Sequence, residues 1–255
     1  MYIIVTRTYP PELGGMQSLM WGLSREMSKN FMIKVFADYH ENHKNFDEQA
    51  SFSIERVGGI KFLRKIRKAQ LINESLKENK VEGIIADHWK SLELIKSDKK
   101  KYCLIHDKEI NHPLGSSLNK RVIKVLNNVE KVIANSEYTK NLAINNGVNK
   151  DKVIVINPGA DPVQELNKKS LEKVESLLKV KTPRLITVSR FDKRKNHEKI
   201  IMALRNLKQL YPDIVYICIG YGDEEENIKK LVEELDLTSQ VMFFKDISND
   251  LKNAL

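Results

Sequence analysis

The chain has 255 residues, of which 41% are hydrophobic and 30% charged, and a formal net charge of +9. That length holds one large or two modest domains, and the composition is ordinary for a soluble globular protein. No apolar run approaches the roughly 20 residues of a membrane-spanning helix. The positive balance suits phosphorylated substrates, an anionic membrane surface or nucleic acid. Nucleic acid is set aside, because acidic residues are interspersed among the lysines and no aromatic-and-arginine stripe or nucleic-acid motif is present.

Residues 2–6, Tyr-Ile-Ile-Val-Thr, read as a first strand rather than as part of a signal peptide. Met16, Leu19, Met20, Leu23 and Met27 then recur at helical spacing. Strands are predicted over 32–37 and 52–57, and a helix over 61–76 with Phe62, Ile66, Ala69 and Ile72 on one side. Short strands follow at 83–86, 102–106 and 132–134. Ser136 is suited to cap a helix that ends at Gly147, and 152–156 is the last strand of this half. Strands alternating with helices imply a parallel sheet covered on both faces.

Pro158-Gly159-Ala160-Asp161-Pro162 breaks every periodicity, which places a domain boundary near Asp161 and domains over 1–162 and 163–255. A helix over 168–178 is followed by a strand from Arg184, a helix, a strand over 214–219, a helix over 224–235 and a strand over 241–244. The apolar run from Leu185 to Val188 reads as a buried strand. Ser248 reads as the cap of a further helix. A half-sheet of three parallel strands leaves an edge open, so the second domain is expected to be incomplete. Cys103 and Cys218 fall inside predicted strands and read as reduced core thiols of a cytoplasmic protein.

The centre of the molecule is placed in the stretch from Arg184 to His197, and within it in the polar turn that follows the apolar run and carries Arg190 and Lys195. It lies at the carboxyl end of a strand and feeds a helix, where open α/β sheets bind ligands. Arg190 offers a planar fork of donors and Lys195 a mobile point charge, a pair suited to a diphosphate; the plainer reading is a solvated basic loop. Gly14-Gly15 joins the first strand to the first helix and lets the backbone approach an anion at the helix N-terminus. Gly220-Tyr-Gly222-Asp223 closes the strand over 214–219, with Asp223 as a helix cap. His106 ends the strand over 102–106. Lys61 to Lys68 form a basic helix with an apolar side, which suits either an anionic lipid surface or solvent with Phe62 and Ile66 packed inward. Trp21 and Trp89 read as packing residues, and His40 and His43 lie in a polar loop without metal-ligand spacing.

In their order along the chain, Gly14-Gly15, Pro158-Gly159-Ala-Asp161, Ser189-Arg190-x4-Lys195 and Gly220-x-Gly222 together resemble the group 1 family of retaining glycosyltransferases. The resemblance implies an α/β fold of GT-B type, two Rossmann-like domains with parallel sheets, the second incomplete here. It implies an N-terminal domain that takes the acceptor and a C-terminal domain that binds a nucleotide-sugar. By that resemblance Arg190 and Lys195 grip the donor diphosphate and stabilise the leaving group, so that no metal or other cofactor is required. Gly14 and Gly15 address the same phosphates, Gly220 and Gly222 form the turn beneath the nucleotide, and His106 lies near the transferred sugar.

The family's pair of glutamates eight positions apart has no counterpart in the right setting. Glu225/Glu233 and Glu226/Glu234 have the spacing but read as the solvated face of a charged helix. The expectation is therefore a C-terminally truncated transferase. It would move sugar, with retention, from a nucleotide-sugar to a lipid-linked or polysaccharide acceptor of the envelope, in the cytoplasm or peripherally on the inner face of an anionic membrane. The alternatives are a non-catalytic fragment or adaptor, and another nucleotide-sugar enzyme such as an epimerase.

Overall fold

The structure, a computed structural model, describes residues 1–78, 80–160, 165–179 and 181–255. The chain divides into two compact units, Met1–Asp161 and Pro162–Leu255. The boundary motif expected near Asp161 lies partly outside the described residues: Pro158, Gly159 and Ala160 are exposed loop, and Asp161 and Pro162 are not described.

Among the described residues the first unit holds seven strands: β1 (Tyr2–Val5), β2 (Ile33–Asp38), β3 (Ser53–Val57), β4 (Gly83–Ala86), β5 (Lys100–Ile105), β6 (Lys131–Ala134) and β7 (Val153–Val155). They form one sheet in the order β3-β2-β1-β4-β5-β6-β7, every pair parallel. The helices are α1 (Gly15–Ser28), α2 (His43–Asp47), α3 (Lys61–Glu78), α4 (Trp89–Leu92), α5 (Ser117–Asn127) and α6 (Glu137–Asn145). Side chains alternate across a strand, and β1 shows the result. Ile3 and Val5 enter the core that includes Ile72 of α3, Trp89 of α4 and Val122 of α5. Ile4 enters the opposite core with Met20 of α1.

Caps set the helix ends. The Ser136 hydroxyl accepts from the Thr139 amide at 3.2 Å, and Gly147, at φ 100°, follows the end of α6. α5, which no motif announced, starts on Ser116, whose hydroxyl accepts from the Asn119 amide at 3.2 Å. Trp89 is buried and donates to the Glu109 carbonyl at 2.7 Å, and Trp21 packs at 4.7 Å from Phe46, so both act in packing. α3 corrects an expectation. Ala69 and Ile72 are buried, but Phe62 is 72% exposed and does not pack inward.

The second unit holds α7 (Lys168–Leu178), β8 (Arg184–Val188), α8 (His197–Leu210), β9 (Val215–Ile219), α9 (Glu225–Glu234), β10 (Val241–Phe244) and α10 (Asn249–Ala254). Its sheet runs β10-β9-β8, all parallel. β9 is central and buried throughout. β8, expected to be a buried strand, is instead an edge strand with Ile186 47% and Val188 57% exposed. The core on that face takes Val174 and Leu178 from α7, Leu251 from α10 and Ile217 from β9, and stops short of Ile186. Ser248 caps α10 through the Leu251 amide at 3.2 Å. The N-cap position of α9 is Glu224, not Asp223, and no side chain caps it. On α9, Glu226, Glu233 and Glu234 are exposed and Glu225 pairs with Lys229 at 2.7 Å, a solvated face.

Candidate functional site

Two sets of residues carry chemistry, one in each unit. In the first unit the strand order reverses between β1 and β4, and open sheets bind ligands beyond the carboxyl ends of strands at such a point. β1 and β4 run in register there, Val5 beside Ala86. The next residues are locked together: the Thr6 hydroxyl donates to Asp87 Oδ2 at 2.8 Å and the Arg7 amide donates to the same atom at 2.9 Å. Asp87 is buried, and burial pushes its carboxyl above the ordinary value despite these donors.

His88 follows it and caps α4, its Nδ1 accepting from the Lys90 amide at 2.9 Å. Burial first, then the positive charges of Arg7 and Lys90, holds His88 down to about 3. On the adjacent β5, His106 sits one residue past the strand. Its amide donates to the Glu109 carboxylate. Its Nε2 is buried without a hydrogen-bond partner, and burial lowers its basicity. The imidazole is thus kept neutral, with one ring nitrogen unspent and closed to solvent.

α1 begins at the same carboxyl edge of this sheet, since it follows β1. Gly14 takes its N-cap position with no side-chain cap. Gly14 and Gly15 are exposed, and a Cβ placed on Gly15 would meet nothing within 4 Å. The uncapped amides of a helix of 14 residues favour an anion there.

In the second unit the turn after β8 is held from beneath. The Ser189 amide donates to the Ile219 carbonyl at 3.0 Å and the Phe191 amide to the Tyr221 carbonyl at 2.9 Å. The backbones lie so close that a Cβ on Gly220 would stand 2.0 Å from the Ser189 carbonyl oxygen, and one on Gly222 2.3 Å from that of Phe191. The two glycines therefore have a reason independent of any ligand: they let the turn after β9 seat the turn after β8. His197, 2% exposed, fixes the far side. Its Nε2 lies 3.1 Å from the Ser189 hydroxyl and its Nδ1 2.8 Å from the Tyr216 hydroxyl, which donates to Thr187 at 3.0 Å. Burial keeps His197 below the ordinary imidazole range, and so neutral.

On this frame Arg190 and Lys195 are exposed, and neither has an ion-pair partner among the described residues. A 3-10 turn, Lys193–Lys195, and Asn196 in the left-handed region at φ 57° lead directly into α8. Two unpaired cations and a helix N-terminus thus share one rigid turn. The structure gathers Arg190, Lys195, Gly220 and Gly222 in the second unit, and it brings His106 to the same sheet edge as Gly14 and Gly15 in the first.

Sequence reasoning missed Asp87, His88 and Tyr216 as parts of these sites, and it held Ser189 and His197 within the central stretch without a role of their own. Asp87-His88 directly after a predicted strand was the available signal. The His197–Tyr216 contact joins residues 19 apart and leaves no local pattern.

A family model described as Glycosyltransferase Family 4 matches residues 13–164, and one described as Glycosyl transferases group 1 matches residues 168–255. An uncharacterized glycosyltransferase of Methanocaldococcus jannaschii is 25% identical over 90% of this chain and 65% of its own. A GDP-mannose-dependent alpha-(1-6)-phosphatidylinositol monomannoside mannosyltransferase of Mycolicibacterium smegmatis is 20% identical over 96% of this chain and 67% of its own. The chain thus spans about two thirds of the length of these relatives. Anabaena HepE, solved in complex with UDP and glucose, superposes with a TM-score of 0.78 at 19% identity, over 99% of this chain and 71% of that one. That likeness shows the fold, α/β of GT-B type. With the two models matched one after the other, the first over more than half of the residues, the chain belongs to the glycosyltransferases of family 4 and group 1.

Proposed function

We propose that the second unit holds the diphosphate of a nucleotide-sugar and that the first takes the acceptor, so that sugar passes from one to the other. The observation that supports it most is the turn of residues 189–197. Two exposed cations without carboxylate partners stand at the start of α8, on a backbone fixed by Gly220, Gly222 and His197. Cleaving the sugar–phosphate bond leaves negative charge on the departing nucleoside diphosphate. Arg190 and Lys195 lie ready to stabilise that charge without reorganising, with no metal or other cofactor in the scheme. His106, held neutral by burial at the end of β5, helps to orient the reacting sugar by its placement rather than acting as a strong base. Retention of anomeric configuration follows only from the family resemblance.

HepE is solved with UDP and the mycobacterial relative uses GDP-mannose, so uridine and guanosine donors are the first to test. Calorimetry with UDP-, GDP- and ADP-sugars should show binding by the intact chain. Arg190→Ala or Lys195→Ala should weaken it about ten- to a hundredfold, the value of a charge-assisted hydrogen bond. Undiminished affinity in both variants defeats the proposal. Where transfer is measured, EDTA should leave it unchanged and the product anomer should match the donor.

No helix among the described residues is long and apolar enough to cross a membrane. We place the chain peripherally on an anionic membrane surface. In support, Ile60, Phe62 and Leu63 are 75%, 72% and 59% exposed and stand among Lys61, Arg64 and Lys65, the mixture an interfacial helix uses. Equal flotation with neutral and anionic liposomes would end that part of the reading.

A further inference from the structure

The first unit contains a second cationic feature, distinct from α1 and its glycines. A cavity of about 90 Å³ opens at the start of α3. α3 supplies Lys61, Arg64, Lys65 and Lys68, residues that helical periodicity brings to one side. Arg7 enters from the loop after β1 and Lys90 from α4, so among the described residues six cations and one carboxylate, Asp38, line the cavity.

The local carboxylates are already engaged. Asp38 pairs with Lys68 and, at 3.0 Å, with Arg64. Glu93 pairs with Lys65 and, at 2.7 Å, with Arg121. Arg7, Lys61 and Lys90 have no ion-pair partner among the described residues. Lys68 is 6% exposed and also donates to the Thr6 carbonyl at 2.7 Å, so one wall is rigid and built into the core. The crowding shows in the neighbours: after burial, the positive charge of Arg7 lowers both Lys90 and His88.

Cations held this close repel one another, and an anion seated among them removes the penalty. By this measure of volume a single water needs roughly 10–15 Å³, so the cavity has room for a phosphate group with some hydration. A phosphate ester brings nearly two charges and three acceptor oxygens, enough to meet donors from α3, α4 and the loop after β1 together. The location agrees, because Arg7 follows β1 and Lys90 follows β4, the two strands at the reversal of order.

We propose that this cavity binds a phosphate group borne by the acceptor. The proposal rests on reading the first unit as the acceptor unit, and narrows the acceptor to a phosphate-bearing molecule. The phosphate belongs either to a soluble phosphomonoester or to a lipid headgroup.

The test uses the intact chain, labelled with ¹⁵N and titrated at constant ionic strength with inorganic phosphate and glycerol 3-phosphate. Saturable amide shifts are expected at Arg7, along residues 61–68 and at Lys90. Lys61→Ala/Lys90→Ala should weaken the affinity read from the shifts at Arg7 and along residues 61–68 roughly tenfold or more, while any phosphate held by the turn of residues 189–197 is read separately from that turn's own amides and keeps its affinity in this variant. Shifts confined to residues 189–197, or equal affinity in Lys61→Ala/Lys90→Ala, overturn the proposal, and the spectra report directly whether each variant is folded.

Sedimentation with phosphatidylcholine vesicles, with and without phosphatidic acid, separates the sources. Capture by the acidic vesicles that is lost in Lys90→Ala, on α4 and outside the exposed patch of α3, assigns the phosphate to lipid; binding of the soluble esters alone assigns it to a soluble acceptor. Binding of neither overturns the site. UDP- and GDP-sugar binding is measured on the same samples. Loss of the nucleotide-sugar with retained phosphate binding defeats the donor reading alone, and the reverse result defeats this one alone.

Discussion

The strands that lead into the two candidate turns have similar sequences and different surroundings. β1 lies between β2 and β4, and Ile3, Ile4 and Val5 are fully buried. β8, equally rich in β-branched residues, stands at the edge of three strands and leaves Ile186 and Val188 about half exposed. A β-branched run thus specifies that a strand forms; the number of strands beside it and the reach of the helices over it decide whether it is buried. The candidate sites differ in the same direction. In the first unit the chemistry is sunk into the sheet edge, with Asp87 buried, His88 half-buried and a buried unspent nitrogen on His106. In the second the cations stand clear, and the rigidity lies beneath them in glycines and in the His197–Tyr216 pair.

The sharpest break of this comparison uses two isoleucines. Ile186 and Ile217 are register partners on neighbouring strands, one 47% exposed and the other fully buried. Ile217→Ala should cost about 2–5 kcal/mol in urea unfolding, the range for emptying a core site. Ile186→Ala should stay within about 0.5 kcal/mol. Equal costs would mean that β8 is covered in solution.

The glycines give a somewhat smaller contrast. Gly220→Ala forces a side chain at φ 147° against the Ser189 carbonyl and should cost roughly 2 kcal/mol or more. Gly15→Ala meets open space and should leave stability within about 0.5 kcal/mol. A Gly15→Ala chain that keeps its stability but loses anion affinity would assign that space to a ligand.

The smallest effect at neutral pH is expected from His88. Its folded value near 3 lies below the ordinary 6.5, so the unfolded chain takes up the proton first. The stability it contributes is full above pH 6.5 and is lost as pH falls from there towards about 3. His88→Asn keeps an acceptor at the N-cap and should flatten that acid limb, read as the urea midpoint against pH. An unchanged limb would assign the acid loss elsewhere; His106 and His197, both also lowered by burial, carry the same sign.

Much of the arrangement was legible beforehand because it is local. Alternating strand and helix patterns placed the parallel sheets, Ser136 and Ser248 announced their helices, and Arg190 with Lys195 stood out as a basic turn after an apolar run. Asp223 misled because acidic residues before a helix are the usual caps, and here the helix starts one residue later. Phe62 misled because it continues the apolar stripe of α3 past the point where the core ends.

By itself the sequence determined the order of elements, the class of fold and the identity of the cationic turn, because backbone periodicity and turn chemistry act over a few residues. Only the tertiary structure decided that β8 is an edge, that Gly220 and Gly222 serve the close approach of two turns, and that Arg7, Lys90 and one side of α3 surround a common cavity. Those outcomes depend on residues far apart in the chain. Charge repulsion, burial and backbone clearance between them are set only once the sheet has brought its strand ends together.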